Sequence, residues 1–204
     1  MKLLPKDLQS LETRDLYKIL SSCITPRPIA FVSTLNKNGL PNAAPFCFFM
    51  GVTPSPPTIA FSVMRRGEEQ QKKDTVRNIE TSREFVVNVV DEALANAMNI
   101  ASGSFPPDMS EFDLTGLTPT ESDIVKPPRI GESPISMECK LRCITDLGDL
   151  PASIIVGEVV CFHIKDQLWV PGQGADVSKI KTIGRMGETL YCKTSELFEL
   201  NRPA

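Results

Sequence analysis

The chain holds a single histidine, His163, and its six cysteines, at 23, 47, 139, 143, 161 and 192, include no C-x-x-C pair. Cys/His zinc spacing is therefore absent, and a histidine-based triad has no imidazole but His163 to use. Aromatic residues are only 6% of the chain. No apolar run approaches the ~18–20 residues that span a bilayer. The N-terminal MKLLPKDLQSLETRDLYKIL carries Pro5 and scattered charges where a leader has an apolar core. G-x-G-x-x-G, the P-loop and G-x-S-x-G are all missing. A net charge of −3 and a pI near 5.3 give no overall basic face for nucleic acid or anionic lipid. The expectations are free thiols in a reducing cytoplasm, no metal, no nucleic acid and no membrane.

The 204 residues suffice for one sizeable domain and are short for two. Leu8, Leu11, Leu16, Ile19 and Leu20 approximate a helical stripe over residues 7–21. IAFVSTL, AAPFCFFMGV, TIAFSVM and REFVVNVV read as strands, with Asn38-Gly39 turning the first into the second. Asp74 or Thr75 N-caps a short helix. DEALANAMNIAS reads as another helix, with Leu94, Ala97, Met98 and Ala101 on one face. It opens a helical and irregular excursion over about 92–130, packed by Phe105, Phe112 and Leu117. SPISMECKLRCITDL and ASIIVGEVVCFHIKD are long strands joined at Gly148-Asp149, with Ile135, Met137, Cys139, Leu141 and Cys143 alternating with polar residues. The sum is a mainly β chain with short helices, a closed or nearly closed antiparallel barrel.

Few residues offer chemistry. His163 reads as a surface or interface histidine, with a ligand contact as the alternative, and Glu68-Glu69 as a solvated charged loop, with an acid/base pair as the alternative. Cys139 and Cys143 are too far apart along a straight strand for a disulfide. KKDT, Lys72 to Thr75, places two ammonium groups before a helix start, where free N–H groups and the dipole favour a phosphate and Thr75 adds a hydroxyl. A capped surface helix with solvated lysines explains the same four residues. In NAAPF, small residues beside Pro45 let a flat ring approach the backbone, with the N–H groups of Ala44 and Phe46 left to meet ring heteroatoms. Tight strand packing explains that pattern equally well.

In order along the chain, TPRPIAFVSTLNKNGLPNAAPFCFF, PPTIAFSV, KKDTVRNIETSREFVVNVV, SDIVKPPRIGESPISMECKL, IIVGEVVCFHIKD and IGRMGETLY resemble the flavin reductase-like family, in its flavoredoxin-type branch. The resemblance covers roughly residues 20–195. It implies an antiparallel, Greek-key FMN-binding split β-barrel, the whole of 1–204 as one domain, and a homodimer holding FMN non-covalently near the subunit interface. NADH or NADPH, or a protein redox partner, would supply electrons, and no protein residue would be catalytic, the chemistry being the flavin's. Carried over, Asn42, Ala43, Ala44, Pro45, Phe46 and Cys47 line the isoalloxazine and ribityl chain. Ser62 reaches the ribityl or phosphate, Lys73, Asp74 and Thr75 surround the phosphate, Arg27 is a further cation, and Arg185 closes the site.

Two residues depart from the family's pattern. Cys47 stands where serine is usual, either a passive replacement or a thiol beside the flavin, and Glu188 stands where glycine is usual. The resemblance implies an FMN reductase first. A flavoredoxin-like electron carrier, or a barrel used only for protein–protein contact, are the alternatives.

Overall fold

The computed structural model describes residues 2–67, 70–149 and 151–203, so Glu68-Glu69 lies outside the described residues. Strands β1 (Ala30–Leu35), β2 (Pro41–Phe46), β3 (Phe49–Pro54), β4 (Pro57–Met64) and β5 (Glu84–Val89) precede two short ladder strands, β6 (Pro119–Thr120) and β7 (Arg129–Ile130). The long hairpin β8 (Ile135–Leu147) and β9 (Ala152–Ile164) follows. One antiparallel sheet runs β2-β1-β5-β8-β9-β4-β3. Its two edge strands, β2 and β3, are consecutive in the chain and joined only by Cys47 and Phe48. The sheet therefore curls until its edges meet at that corner, which the Ser62 N–H fastens by donating to the Phe48 carbonyl at 2.9 Å. The expected antiparallel barrel is what forms.

Side chains of alternate residues fill the inside. Val32, Phe46, Phe61, Val63, Phe85 and Ile155 form one buried cluster, with Val76 and Ile79 of helix α3 (Asp74–Ser82) closing an end. Phe61 anchors it, 5.4 Å from the Phe46 ring and 5.6 Å edge-on to Phe85. The Phe85 ring occupies the space that a side chain at Gly157 would need. Gly157→Ala is accordingly expected to overpack the barrel and cost about 2 kcal/mol in urea unfolding. Gly51→Ala, with open space around its Cβ, is the near-neutral control. Equal midpoints for the two variants would contradict this packing.

The excursion after β5 packs on the outside. Phe31, Leu94, Met98, Phe112 and Ile130 form a second cluster beneath α4 (Ala95–Ala101) and α5 (Glu111–Thr115). Phe112 and Leu117 are buried as expected, while Phe105 is half-buried. The expected helix over 7–21 is instead two, α1 (Pro5–Gln9) and α2 (Thr13–Cys23). Ser10 ends the first by turning its N–H and hydroxyl back to the Asp7 carbonyl. The alternation expected of β8 holds from Met137 through Cys139 to Leu141, which pack in the barrel, and breaks at the bulge between Leu141 and Cys143. The opposite face of β8 buries Ser136 and Glu138 under the excursion, and past the bulge Cys143 is exposed. All six cysteines are free. Among the described residues no helix is long and apolar enough to cross a membrane.

A final segment holds β10 (Trp169–Val170), β11 (Gly174–Ala175), helix α6 (Val177–Ile180), β12 (Ile183–Arg185) and β13 (Tyr191–Lys193). Reciprocal backbone hydrogen bonds of 2.9 Å between Arg27 and Arg185 tie it to the entry of β1.

Candidate functional site

Strand β2 is an edge of the sheet that pairs with β1 on one side and is met by α5 and the residue before it on the other. The Pro41 carbonyl accepts from Ser110 at 2.6 Å, and the Ala43 N–H donates to Glu111 at 3.0 Å. The odd residues of β2 thus turn their backbone groups outward. In an antiparallel ladder the even ones turn inward, so the N–H groups of Ala44 and Phe46 serve the pairing with Val32 and Ala30. This corrects the expectation that those two N–H groups stand free for a ring, because strand phase assigns them to the barrel. What β2 offers outward is a wall of small side chains around Pro45.

Asn42 is likewise engaged. Its amide donates to Glu111 at 2.6 Å, and its Oδ1 lies 3.3 Å from the Thr75 hydroxyl and 3.4 Å from that of Thr34. Asn78 donates in turn to Thr34 at 3.0 Å. This buried polar run fixes the first turn of α3 against β2, with the fully buried Thr75 at its centre. Glu111 reaches it from α5, a contact that no local pattern in the sequence announces.

The start of α3 lacks the expected side-chain cap. Lys73 occupies the N-cap position and Asp74 the first helical one. The N–H groups of Asp74 and Thr75 have no carbonyl four residues back to bond. Lys73 is half-buried with its ammonium 5.7 Å over the Phe46 ring. Its pKa is pushed down, first by burial and then by the charge of Arg66. Arg66 enters from the turn after β4, where its backbone bridges to Gln71. Its Nη1 is 3.7 Å from Asp74, and its buried Nε has no hydrogen-bond partner among the described residues. Two cations thus share a half-buried hollow with Ala44, Pro45 and Thr75 on its walls. Lys72 is not part of it, being paired with Glu80. A wider cleft lies beyond Asp74 and Glu111, but its Arg77 is spent on Asp74 and the Lys72 carbonyl.

The structure separates the remaining carried-over residues from this hollow. Arg27 is buried and donates to the carbonyls of Ser21 and Ile24, capping the end of α2, and its Nε lies 3.4 Å from Cys47 Sγ. Helix-end carbonyls therefore hold the charge that the sequence offered to a phosphate. Cys47 and Phe48 form the β2–β3 corner, with Phe48 between Arg27 and Tyr17. Burial, and then Cys47, push the Tyr17 phenol up. Arg185 stacks 4.5 Å over the Tyr191 ring and donates to its hydroxyl and to the Glu188 carbonyl. Glu188 thus meets Arg185 through its backbone, at a positive φ of 44°. Ser62 serves the corner through its N–H.

His163 is not at the site. It lies half-buried on β9 with Nε2 2.5 Å from the fully buried Glu138 carboxylate.

Comparisons agree with this architecture. The family model of the flavin reductase like domain matches residues 21–173. An uncharacterized protein of Bacillus subtilis, YwrF, is 42% identical, covering 95% of this chain and 96% of its own. Nitrilotriacetate monooxygenase component B from Bacillus cereus superposes with a TM-score of 0.91 at 37% identity, over 98% of each chain. The 2-nitrobenzoate 2-nitroreductase NbaA of Pseudomonas fluorescens gives 0.89 at 32% identity, over 100% of this chain and 96% of that one. Flavoredoxin of Desulfovibrio vulgaris, at 20% identity and a TM-score of 0.73 over 87% of this chain and 91% of its own, shares the fold.

Proposed function

The chain belongs to the flavin reductase-like family, and on that premise we propose that it is an FMN-dependent oxidoreductase. In this reading it is a flavin reductase that takes hydride from NADH or NADPH onto bound FMN and passes the electrons to an acceptor. The observation that carries it is the pairing of Lys73 with Arg66, whose buried Nε has no partner among the described residues, at the first turn of α3. Two like charges held together in a half-buried hollow call for an anion, and a helix start with free N–H groups suits a phosphate. The donors fit that group.

When bound, the flavin supplies the hydride and electron chemistry. This chain's residues bind and orient it. Lys73, Arg66 and the Asp74 and Thr75 N–H groups hold the phosphate, while Asp74 offsets the charge of Arg66. The Glu111–Asn42–Thr75 run sets the position of α3. The outward wall of Ala44, Pro45 and Cys47 takes the ring, and Arg185 closes the far side. Ser62 acts through the corner it fastens.

The 37% and 32% identities to a monooxygenase component and a nitroreductase, each spanning nearly the whole chain, favour redox turnover. A homodimer is part of the same reading. The exposed Met50 and Val52 on edge strand β3 are apolar surface a partner subunit would cover. A cytoplasmic location suits the six free thiols. The test is anaerobic mixing of the FMN-loaded protein with NADH and with NADPH. Rapid loss of the oxidised-flavin absorption with at least one of them is expected. No loss with either, together with reduction by a protein donor, would replace the reductase with an electron carrier.

A further inference from the structure

Away from the flavin hollow, four side chains with metal-binding atoms converge beneath the excursion. Cys161 and His163 are two residues apart on β9, so they share a face. Glu138 stands opposite Cys161 in the β8–β9 register. Asp123 comes from the excursion, its N–H donating to Glu138 Oε1 at 2.8 Å. One donor atom from each of the four lies within 4.8 Å of all the others. Cys161 Sγ is 3.5 Å from His163 Nε2. Donors around a tetrahedral zinc ion, at bond lengths of about 2.0–2.3 Å, stand about 3.3–3.8 Å apart.

We propose that Asp123, Glu138, Cys161 and His163 form a zinc site that clamps the excursion onto the β8–β9 hairpin. A thiolate, an imidazole and carboxylates are the mixed donor set of zinc, whereas calcium and magnesium take oxygen alone. Glu138 already pins the loop by accepting from the N–H groups of Asp123, Ile124 and Val125 at 2.7–2.9 Å. That pin needs neither the Asp123 carboxylate nor the Cys161 thiol, yet both reach the same point. Two carboxylates and one imidazole leave excess negative charge there, which a divalent cation offsets. Arg129, a cation felt at Cys161, is held by the Glu121 carbonyl instead. Asp123 is exposed and leaves an entry path from solvent. Binding moves the His163 ring from Glu138, now 2.5 Å away, by about 1 Å, transfers the Nε2 proton to Nδ1 of the neutral ring, and releases the Cys161 proton to solvent.

This revises the expectation of no metal. The ligands come from alternate residues of one strand, the strand opposite and a distant loop, so no consecutive spacing in the sequence signals them.

The experiment uses the full, FMN-loaded chain, freed of metal and titrated with Zn²⁺ against a chromophoric chelator and separately with Co²⁺. About one zinc per chain is expected, with a thiolate-to-cobalt charge-transfer band in the near ultraviolet. Cys161→Ser should abolish the band and weaken zinc at least about tenfold. Asp123→Asn, on the exposed loop, should weaken zinc as well. Cys143→Ser, exposed elsewhere on the same hairpin, should change neither reading. A chain that does not compete with the chelator, or a band that survives Cys161→Ser, would overturn the assignment.

Discussion

Alanine at Lys73 or at Arg66 is expected to weaken FMN binding about 10- to 100-fold, the worth of one charge-assisted phosphate contact. Riboflavin, which lacks the phosphate, should bind each variant as it binds the parent. This pairing of ligands isolates the hollow from the ring wall. Lys73 is held at the N-cap of α3 over Phe46, and Arg66 is held by its backbone bridge to Gln71. Among the described residues, neither side chain has another charge to satisfy that would make its removal a folding defect, apart from the 3.7 Å approach of Arg66 to Asp74. The control is Lys72→Ala, which breaks an exposed pair with Glu80 and should leave FMN affinity within about twofold. Equal losses for FMN and riboflavin in the Lys73 and Arg66 variants would mean that the phosphate sits elsewhere.

The second large effect falls on stability. Glu138→Ala is expected to cost about 3–5 kcal/mol in urea unfolding, because it leaves the Asp123, Ile124 and Val125 N–H groups without their acceptor and His163 without its partner. Glu132→Ala is the comparison, since that exposed carboxylate accepts from the Thr118 N–H at the surface and should cost about 1 kcal/mol. Burial alone would push the Glu138 carboxyl up, but the N–H groups and His163 outweigh it and the net shift is down from 4.5. A carboxyl whose folded pKa is depressed stabilises the fold fully above its unfolded value and loses that contribution as pH falls through the folded one. Thermal stability of the parent should therefore drop below about pH 4.5 more steeply than that of Glu138→Gln. Parallel pH profiles for the two proteins would contradict the pin.

Much of the fold was legible because it is local. Alternating apolar residues and Asn38-Gly39 mark β1, β2 and their turn, and Gly148-Asp149 marks the β8–β9 turn. What local pattern missed depends on distance or phase. A bulge between Leu141 and Cys143 left Cys143 outside, out of phase with Met137, Cys139 and Leu141. KKDT marked the start of α3, but Lys72 turns away from the hollow because Glu80, about two turns into the helix, takes it. Arg66 was overlooked because a turn after β4 brings it back to Lys73. The one available signal was Arg65-Arg66 standing directly behind a strand that ends near KKDT. Arg27 looked free in the sequence, yet the end of α2 claims it. Asn42 looked ligand-facing, yet Glu111, 69 residues away, holds it.

The most direct test of the account is a fluorescence titration of the ligand-free protein with FMN and, in parallel, with riboflavin. The account predicts about one FMN per chain and at least about tenfold tighter binding of FMN than of riboflavin. No FMN binding, or equal affinity for the two, would contradict it.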